Sequence, residues 1–217
     1  MFITVEGLAC TGKTTVADLL ASRLGAVHLP TVPPEYACLR NCFRVHEHLD
    51  ARYLFFLSAV SLAATRIRRH LTDGRSVVAE SYLARTVAFH RGMGSHVRVE
   101  LQGLPRPDLT FRLVCNGRER GRRLRQRGTR HNWDVLAEEH AVDIEREYRR
   151  SPAHVIDTTA VEPSDAVQRI LVHRLDGGCT CEDGQSLERH QDLLSAFPQR
   201  DRVPSHPHCV CGRGLGW

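Results

Sequence analysis

Residues 7–14, G-L-A-C-T-G-K-T, place two glycines, a lysine and a threonine at the spacing G-x-x-x-x-G-K-[ST]. Gly7 and Gly12 let the backbone curl until successive amide N–H groups point at phosphate oxygens. Lys13 supplies positive charge to the outer phosphates, and the Thr14 hydroxyl can complete the oxygen shell of Mg²⁺. The segment therefore predicts a loop that binds a nucleoside triphosphate, with ATP and Mg²⁺ as the expected ligands. The expected ATP-binding residues of this loop are Gly7, Cys10, Thr11, Gly12, Lys13, Thr14 and Thr15.

The elements around this loop are predicted from short apolar runs and from helical periodicity. The expected strands are residues 2–5, 26–29, 76–79, 109–115 and 154–156. The expected helices are residues 13–24, 49–71, 118–127, 135–150 and 163–175. Short strands that alternate with helices indicate right-handed βαβ units and a parallel sheet. The predicted fold class is α/β, a three-layer P-loop NTPase-type fold with a five-stranded parallel sheet. The strand–loop–helix context also argues against the competing interpretation of residues 7–14 as a chance Gly-rich turn.

The composition is that of an ordinary globular protein, because 41% of the 217 residues are hydrophobic and 25% are charged. The formal net charge is +5, and much of the basic excess lies in residues 118–130. Such a local excess suits a phosphate ligand at least as well as a nucleic acid, and we expect no nucleic-acid partner. No apolar run approaches the roughly 18 residues of a membrane span. The chain begins with a strand-like run rather than a signal peptide, so we expect a cytoplasmic protein without disulfides.

After residue 175 the sequence becomes polar and rich in glycine and cysteine. The expected organisation is therefore one domain at residues 1–175 and a Cys/His-containing tail at residues 176–217. Two C-x-C pairs flank a gap of 27 residues in this tail. Four thiolates can bind structural Zn²⁺ in a tetrahedral site, and the C-x-C spacing leaves free thiols as an equal alternative. The four candidate zinc ligands are Cys179, Cys181, Cys209 and Cys211.

Five stretches of the chain resemble the thymidylate kinase family of nucleotide kinases, in the order of that family and over about residues 2–175. They are the first strand and loop FITVEGLACTGKTT, the long-helix start DARYLFFLSAV, the "DRY"-like segment VVAESYLARTVAFH, the strand, helix and lid RPDLTFRLVCNGRERGRRLRQRG, and the last strand HVIDTT. Glu80-Ser81 also half resembles the "ERS" segment of the related deoxynucleoside kinases. The resemblance implies a doubly wound P-loop kinase with a lid that depends on ATP and Mg²⁺. It also implies a homodimer formed through the long helix, as is frequent in the family.

The resemblance assigns roles to charged residues around the phosphates. Arg123, Arg127 and Arg130 lie in the lid-like stretch, where they would stabilise charge on the transferred phosphoryl group. A solvated basic helix face is the alternative for such a run of arginines. Glu80 ends a predicted strand beside the loop strand, so its carboxylate can hold Mg²⁺ together with Thr14.

The acceptor side departs from the thymidylate kinase pattern. In that family arginines clamp the phosphate of a nucleoside monophosphate, and an acidic residue lies in the loop at the position of Ala9. The residues here at three arginine positions are Glu35, Val60 and Ser81. A phosphate dianion without cationic partners is disfavoured. The neighbouring arginines that can substitute are Arg40, Arg52 and Arg85.

Glu35 has two interpretations. Deoxynucleoside kinases carry a glutamate shortly after their second strand as general base, so Glu35 can accept the proton of a hydroxyl acceptor. The alternative is a loop residue in solvent. The expected acceptor-binding residues are Glu35, Tyr36, Phe56, Tyr82, Arg85 and His90, with the hydrophobic core as the alternative place for Phe56 and Tyr82.

Two functions follow from these patterns. The first is ATP-dependent transfer of the γ-phosphate to a nucleoside, a nucleoside monophosphate or a similar small molecule. The missing arginines slightly favour an acceptor that reacts through a hydroxyl group. The second is a nucleotide-binding regulatory or nucleic-acid-associated P-loop protein without turnover. For the kinase, the expected catalytic residues are Lys13, Glu35, Arg123 and Arg127.

Overall fold

The computed structural model describes residues 1–30, 32–37, 48–98, 103–128 and 132–176, all of which belong to the compact unit Met1–Cys181. Several predicted residues lie outside the described ranges, namely Arg40, Arg130, Cys179, Cys181, Cys209 and Cys211. The zinc site and the boundary of the tail therefore stay predictions. Within the described ranges, no helix is long and apolar enough to cross a membrane.

The five predicted strands are present and form one parallel sheet. They are β1 (Phe2–Gly7), β2 (Val27–Leu29), β3 (Val77–Glu80), β4 (Leu109–Val114) and β5 (His154–Asp157), in the order β2-β3-β1-β4-β5. The register is parallel throughout, with Val5 opposite Glu80 on one side of β1 and opposite Phe111 on the other. The predicted α/β fold with a five-stranded parallel sheet is confirmed.

Eight helices are described around this sheet. They are α1 (Lys13–Leu24), α2 (Pro34–Ala37), α3 (Leu49–Thr72), α4 (Leu83–Gly92), α5 (Gly117–Gln126), α6 (Asn132–Glu139), α7 (Ala141–Tyr148) and α8 (Pro163–Asp176). The single helix predicted at residues 135–150 is two helices that meet at His140. Helix α4 has no counterpart in the sequence analysis, because Thr86 and His90 lie on its buried face and weaken the apolar periodicity.

The two faces of the sheet pack on different helices. Side chains alternate along β1, so Ile3 and Val5 join a cluster with α1 and α8, whereas Phe2 joins a cluster with α3. This arrangement gives the three predicted layers. The carboxyl ends of β1, β3 and β5 meet at one edge of the sheet, where parallel α/β folds bind their ligands.

Helices α4 and α7 are in very close contact at the end of α4. A Cβ atom placed on Gly92 would lie 2.6 Å from both the Cα and the backbone N of Ile144, which is fully buried. Only glycine lets the two backbones approach this closely. The contact places the carboxyl-terminal turn of α4, which carries His90, at a fixed distance from α7.

We expect Gly92→Ala to lower the free energy of unfolding by about 1–3 kcal/mol, because the new methyl group meets backbone atoms that cannot turn away. Urea denaturation measures this change. Gly117→Ala is the matched control, since an added Cβ there has no atom within 4 Å, and we expect it to change the stability by less than about 0.5 kcal/mol. Equal stabilities of the two variants would contradict the close packing.

Candidate active site

The loop between β1 and α1 adopts a backbone that requires glycine at both ends. Gly7 has φ 139°, and a Cβ there would lie 2.3 Å from the carbonyl oxygen of Leu113. Gly12 has φ 92° and immediately precedes α1. The Thr11 hydroxyl donates to the carbonyl oxygen of Leu8 at 3.0 Å and closes the loop. The amides at the start of α1 are thus presented to solvent as an anion site.

Lys13 lies at the base of this loop. Its Nζ donates to the carbonyl oxygen of Leu8 at 2.6 Å, and the side chain is buried. Burial first, and then the Arg85 charge, lower the pKa of Lys13 to about 7, against the opposing effect of Glu80 and Glu6. A phosphate ligand would supply the negative charge that stabilises the protonated lysine.

Thr14 and Glu80 meet across the edge of the sheet. The Thr14 hydroxyl donates to Oε1 of Glu80 at 2.8 Å, although the two residues are 66 positions apart. A hydroxyl and a carboxylate are the oxygen donors that Mg²⁺ prefers, and this ion is usually held by few protein ligands plus phosphate and water. The pair therefore fits the predicted magnesium site.

A cavity of about 540 Å³ opens beside the loop. The cavity is lined by residues of the loop and of α1, by residues of α3 and α4, and by Arg127 and Trp133. Of the predicted acceptor-binding residues, the structure brings three to this cavity: Phe56, Arg85 and His90. Arg52, which the sequence analysis offers only as a substitute cation, lines it as well.

Contacts with neighbouring groups fix the positions of Arg52 in α3 and Arg85 in α4. Arg85 donates from Nη1 to the carbonyl oxygen of Gly7 at 3.0 Å, and its Cζ lies 4.0 Å from the ring centre of Phe89. The Cζ of Arg52 lies 3.9 Å from the ring centre of Trp133 and 4.7 Å from that of Phe56. Aromatic contacts of this kind hold a guanidinium group in a defined orientation.

Glu6 is a functional candidate that the sequence analysis did not name. It is 1% exposed, and its Oε1 accepts from the backbone N–H of Tyr82 at 2.9 Å. Burial raises the pKa of Glu6 to about 7, opposed by that hydrogen bond and by the charges of Arg85 and Lys13. The sequence position of Glu6 could have identified it as a candidate, because a charged residue is rarely buried within an apolar strand, and this strand lies just before the loop.

Three predicted acceptor-binding residues are placed elsewhere. Glu35 forms an ion pair with Arg66 on the surface, and the ring of Tyr36 packs against Phe55 at 5.1 Å. Neither belongs to the described residues that line the cavity. Tyr82 is a core residue, edge-on to Phe2 at 5.4 Å. Both side chains of α2 thus contact residues of α3, and the ring of Tyr82 packs in the core.

The two lid arginines lie at different cavities. Arg127 pairs with the buried Asp134 beside the main cavity. Arg123 instead donates from Nη2 to the carbonyl oxygen of Thr158 at 2.6 Å and lines a second cavity of about 340 Å³. The Thr158 hydroxyl in turn donates to the carbonyl oxygen of Thr11 at 3.0 Å. The second cavity thus also adjoins the loop, through Thr11 and Gly12.

The raised pKa of Glu6 predicts a pH dependence of stability. Between its ordinary value of 4.5 and about 7, the unfolded chain releases this proton while the folded protein keeps it. The associated stability is therefore complete below pH 4.5 and is lost as the pH rises through 7, by on the order of 3 kcal/mol. Denaturant unfolding between pH 5 and 8 should show this loss in the wild type and not in Glu6→Gln.

Glu139→Gln, at an exposed position of α6, is the control for a lost carboxylate. It should retain the pH dependence of the wild type. Parallel stability curves for the wild type and Glu6→Gln would show that the buried carboxylate does not titrate in this range.

Comparisons with known proteins identify the family of this chain. The thymidylate kinase family model matches residues 5–169. A probable thymidylate kinase of Pyrobaculum aerophilum is 27% identical over 148 residues, which are 63% of this chain and 76% of the relative.

Solved structures show the same fold. The thymidylate kinase from Candida albicans has a TM-score of 0.66 and 16% identity, with 81% of this chain and 91% of that chain covered. The deoxyadenosine kinase from M. mycoides, solved with bound dATP, has a TM-score of 0.59 and 15% identity, with 81% of this chain and all of that chain covered.

The family model spans more than half of the chain, and kinases of this family use ATP with Mg²⁺. The regulatory or nucleic-acid-associated alternative has no support in these comparisons. This chain belongs to the thymidylate kinase family and is an ATP-dependent kinase that transfers phosphate to a nucleotide or nucleoside.

Proposed function

We propose that the protein is a nucleoside monophosphate kinase, with ATP as donor and the phosphate of the acceptor held by arginines of α3 and α4. One observation carries this proposal. Arg52 and Arg85 line the same cavity as the ATP-binding loop, whereas Glu35, the candidate base for a hydroxyl acceptor, is paired with Arg66 on the surface.

The two arginines compensate for the departures from the family pattern. The family resemblance places one arginine at the position of Val60, four residues after Phe56, and Arg52 lies four residues before Phe56. Arg52 and Phe56 are four residues apart and share one face of α3, and both line the cavity, so Arg52 brings a positive charge to the place where Phe56 lies. Arg85 likewise lies four residues after Ser81. Together they supply the positive charge that a phosphate dianion requires.

A phosphate acceptor also explains why no base is needed at the position of Glu35. A phosphate monoester is largely a dianion at neutral pH, since its second pKa is about 6. One of its oxygens attacks the γ-phosphorus directly, the bond to the β–γ bridging oxygen breaks, and ADP leaves. The catalytic requirement is then positioning and charge stabilisation rather than proton removal.

The donor side of the site follows from the loop. The loop amides and Lys13 hold the β- and γ-phosphates, and Thr14 with Glu80 holds Mg²⁺, which neutralises charge on the phosphates when bound. Arg123 and Thr158 line the second cavity, next to the loop, and we assign this cavity to the nucleoside of ATP. Arg127, at the main cavity, is placed to approach the transferred phosphoryl group.

The cytoplasmic location and the homodimer stay predictions. The long helix α3 keeps Leu54 half exposed, which leaves an apolar position on the helix through which members of the family often dimerise.

Steady-state kinetics with deoxynucleosides and deoxynucleoside monophosphates test the acceptor class. We expect turnover with a monophosphate, lost in Lys13→Met. Arg85→Met should lower kcat/KM for that monophosphate by roughly 10- to 100-fold, because one charge-assisted contact to the phosphate is lost. Arg69→Met removes the same charge from an exposed position of α3 and should leave kcat/KM unchanged. A preference for nucleosides over monophosphates would contradict the proposal.

Glu35→Gln separates the two acceptor chemistries. A hydrogen bond from its own backbone amide and the Arg66 charge hold the pKa of Glu35 below its ordinary value, which makes it a weak base. We therefore expect kcat to stay within about twofold of the wild type, since the residue takes no part in proton transfer. A loss of 100-fold or more in kcat, with unchanged binding of ATP, would restore Glu35 as the general base for a hydroxyl acceptor.

A further inference from the structure

Glu6 is a buried carboxylate to which the proposed reaction assigns no contact with either substrate. Its Oε2 is buried and has no hydrogen-bond partner among the described residues. A buried oxygen of this kind destabilises a protein, and native structures rarely keep one without a reason. An apolar residue at this position of β1 would avoid that loss of stability. The retention of a carboxylate therefore points to a role in the function of the site.

The carboxylate of Glu6 caps the first turn of α4 from a distant strand. Its Oε1 accepts a hydrogen bond from the backbone N–H of Tyr82 at 2.9 Å, although the two residues are 76 positions apart. Tyr82 is the N-cap residue of α4, its own side chain makes no capping hydrogen bond, and the first turn contains no acidic residue. The backbone amide of Arg85, in the same turn, also stabilises the charged form of Glu6. Glu6 thus supplies the acceptor and the negative charge that the start of this helix needs.

The first turn of α4 also carries the guanidinium group of Arg85, which lines the main cavity. Nη1 of Arg85 donates to the carbonyl oxygen of Gly7 at 3.0 Å, next to Glu6 in the chain. The end of β1 therefore holds the turn through the side chain of Glu6 and the guanidinium through the carbonyl of Gly7. The Arg85 charge also stabilises the charged form of Glu6 more strongly than the Lys13 charge does.

Lys13, on the ATP side of the site, depends less on Glu6. Its Nζ donates to the carbonyl oxygen of Leu8 at 2.6 Å. Among the carboxylates that raise the pKa of Lys13, Glu80 has a larger effect than Glu6. Removal of the Glu6 carboxylate should therefore affect the acceptor side of the site more than the ATP side.

We propose that Glu6 is a positioning residue for the acceptor phosphate, because its carboxylate fixes the first turn of α4 and, through that turn, the guanidinium group of Arg85. The inference rests on the proposed function, since it requires an acceptor whose phosphate binds to Arg85. Loss of the carboxylate leaves the amide of Tyr82 without a partner, so the turn shifts and Arg85 meets the phosphate in a poorer geometry. A displacement of about 1 Å in a binding group lowers a rate by on the order of 100-fold.

Steady-state kinetics of Glu6→Met test this role, with ATP and the deoxynucleoside monophosphate that the wild type turns over fastest. Methionine has a similar length and offers no acceptor to the amide of Tyr82. At saturating ATP, kcat/KM for the monophosphate should fall by roughly 10- to 100-fold, whereas the KM for ATP should stay within about threefold of the wild type. Glu6→Gln keeps an oxygen for the Tyr82 amide and should recover most of the loss.

Thr4→Val is the matched control for the loss of a buried polar group from β1. Thr4 is 1% exposed and lies on the same face of the strand as Glu6, but its hydroxyl contacts that of Thr110 rather than α4. This variant should lose stability and keep the kinetics of the wild type. A purely structural role predicts the same behaviour for folded Glu6→Met, and that result would overturn the inference. A rise confined to the KM for ATP would also overturn it, because Glu6 would then act on Lys13.

A double-mutant cycle with Arg85→Met shows whether Glu6 acts through Arg85. In the Arg85→Met background, Glu6→Met should lower kcat/KM for the monophosphate by about twofold at most, because the group that Glu6 positions is already absent. Effects that multiply would show that the two residues act independently and would overturn the inference. If Glu6→Met does not fold, Glu6→Asp takes its place in the kinetics and in the cycle, since it keeps the charge and withdraws the oxygens from Tyr82.

The acceptor panel separates this inference from the proposed function. If nucleosides are phosphorylated and monophosphates are not, the phosphate acceptor is wrong, and the same cycle is measured with the nucleoside. Coupling between Glu6 and Arg85 in that reaction supports the positioning of Arg85 on its own, and effects that multiply overturn it. A protein that phosphorylates neither class of acceptor overturns both.

Discussion

The carbonyl oxygen of Gly7 joins the two halves of the site. It accepts from Nη1 of Arg85 at 3.0 Å and from the hydroxyl of Tyr148 at 3.2 Å. The residue before it, Glu6, accepts from the backbone N–H at the start of α4. The loop that binds ATP and the helix that lines the acceptor cavity are therefore held by the same two residues at the end of β1. A side chain at position 7 would collide with Leu113, so this junction depends on glycine.

The charged groups around this junction favour the binding of an anionic ligand. Desolvation raises the pKa of Glu6 and lowers that of Lys13, because each buried charge lies in a medium that solvates it poorly. The cationic groups Arg52 and Arg85 face the same cavity. The phosphates of ATP bring negative charge to this site. The electrostatic free energy of the site is therefore lower with an anionic ligand bound than in the empty site.

The departures from the family pattern have a physical explanation in the fold. Ser81 lies in the turn between β3 and α4, where it has φ 59° and is buried. Val60 packs in the core against the sheet. An arginine at either position would have to leave this packing to reach a phosphate. The chain carries its arginines elsewhere on the same segments instead, Arg85 four residues after Ser81 and Arg52 eight residues before Val60, and both line the cavity.

The sequence by itself determined the ATP-binding loop, the five parallel strands and the Thr14–Glu80 pair at the edge of the sheet. These features depend on residues close together in the chain or on a rule about where parallel strands end. Only the tertiary structure decided which acceptor candidates share a cavity. Glu35, Tyr36 and Tyr82 were plausible from position alone, but the structure pairs Glu35 with Arg66, packs Tyr36 against Phe55 and places Tyr82 in the core. Arg52 and Trp133 line the cavity instead. The reason is that a side chain's direction depends on how its helix packs on distant elements, and that information is not contained in any local stretch of sequence.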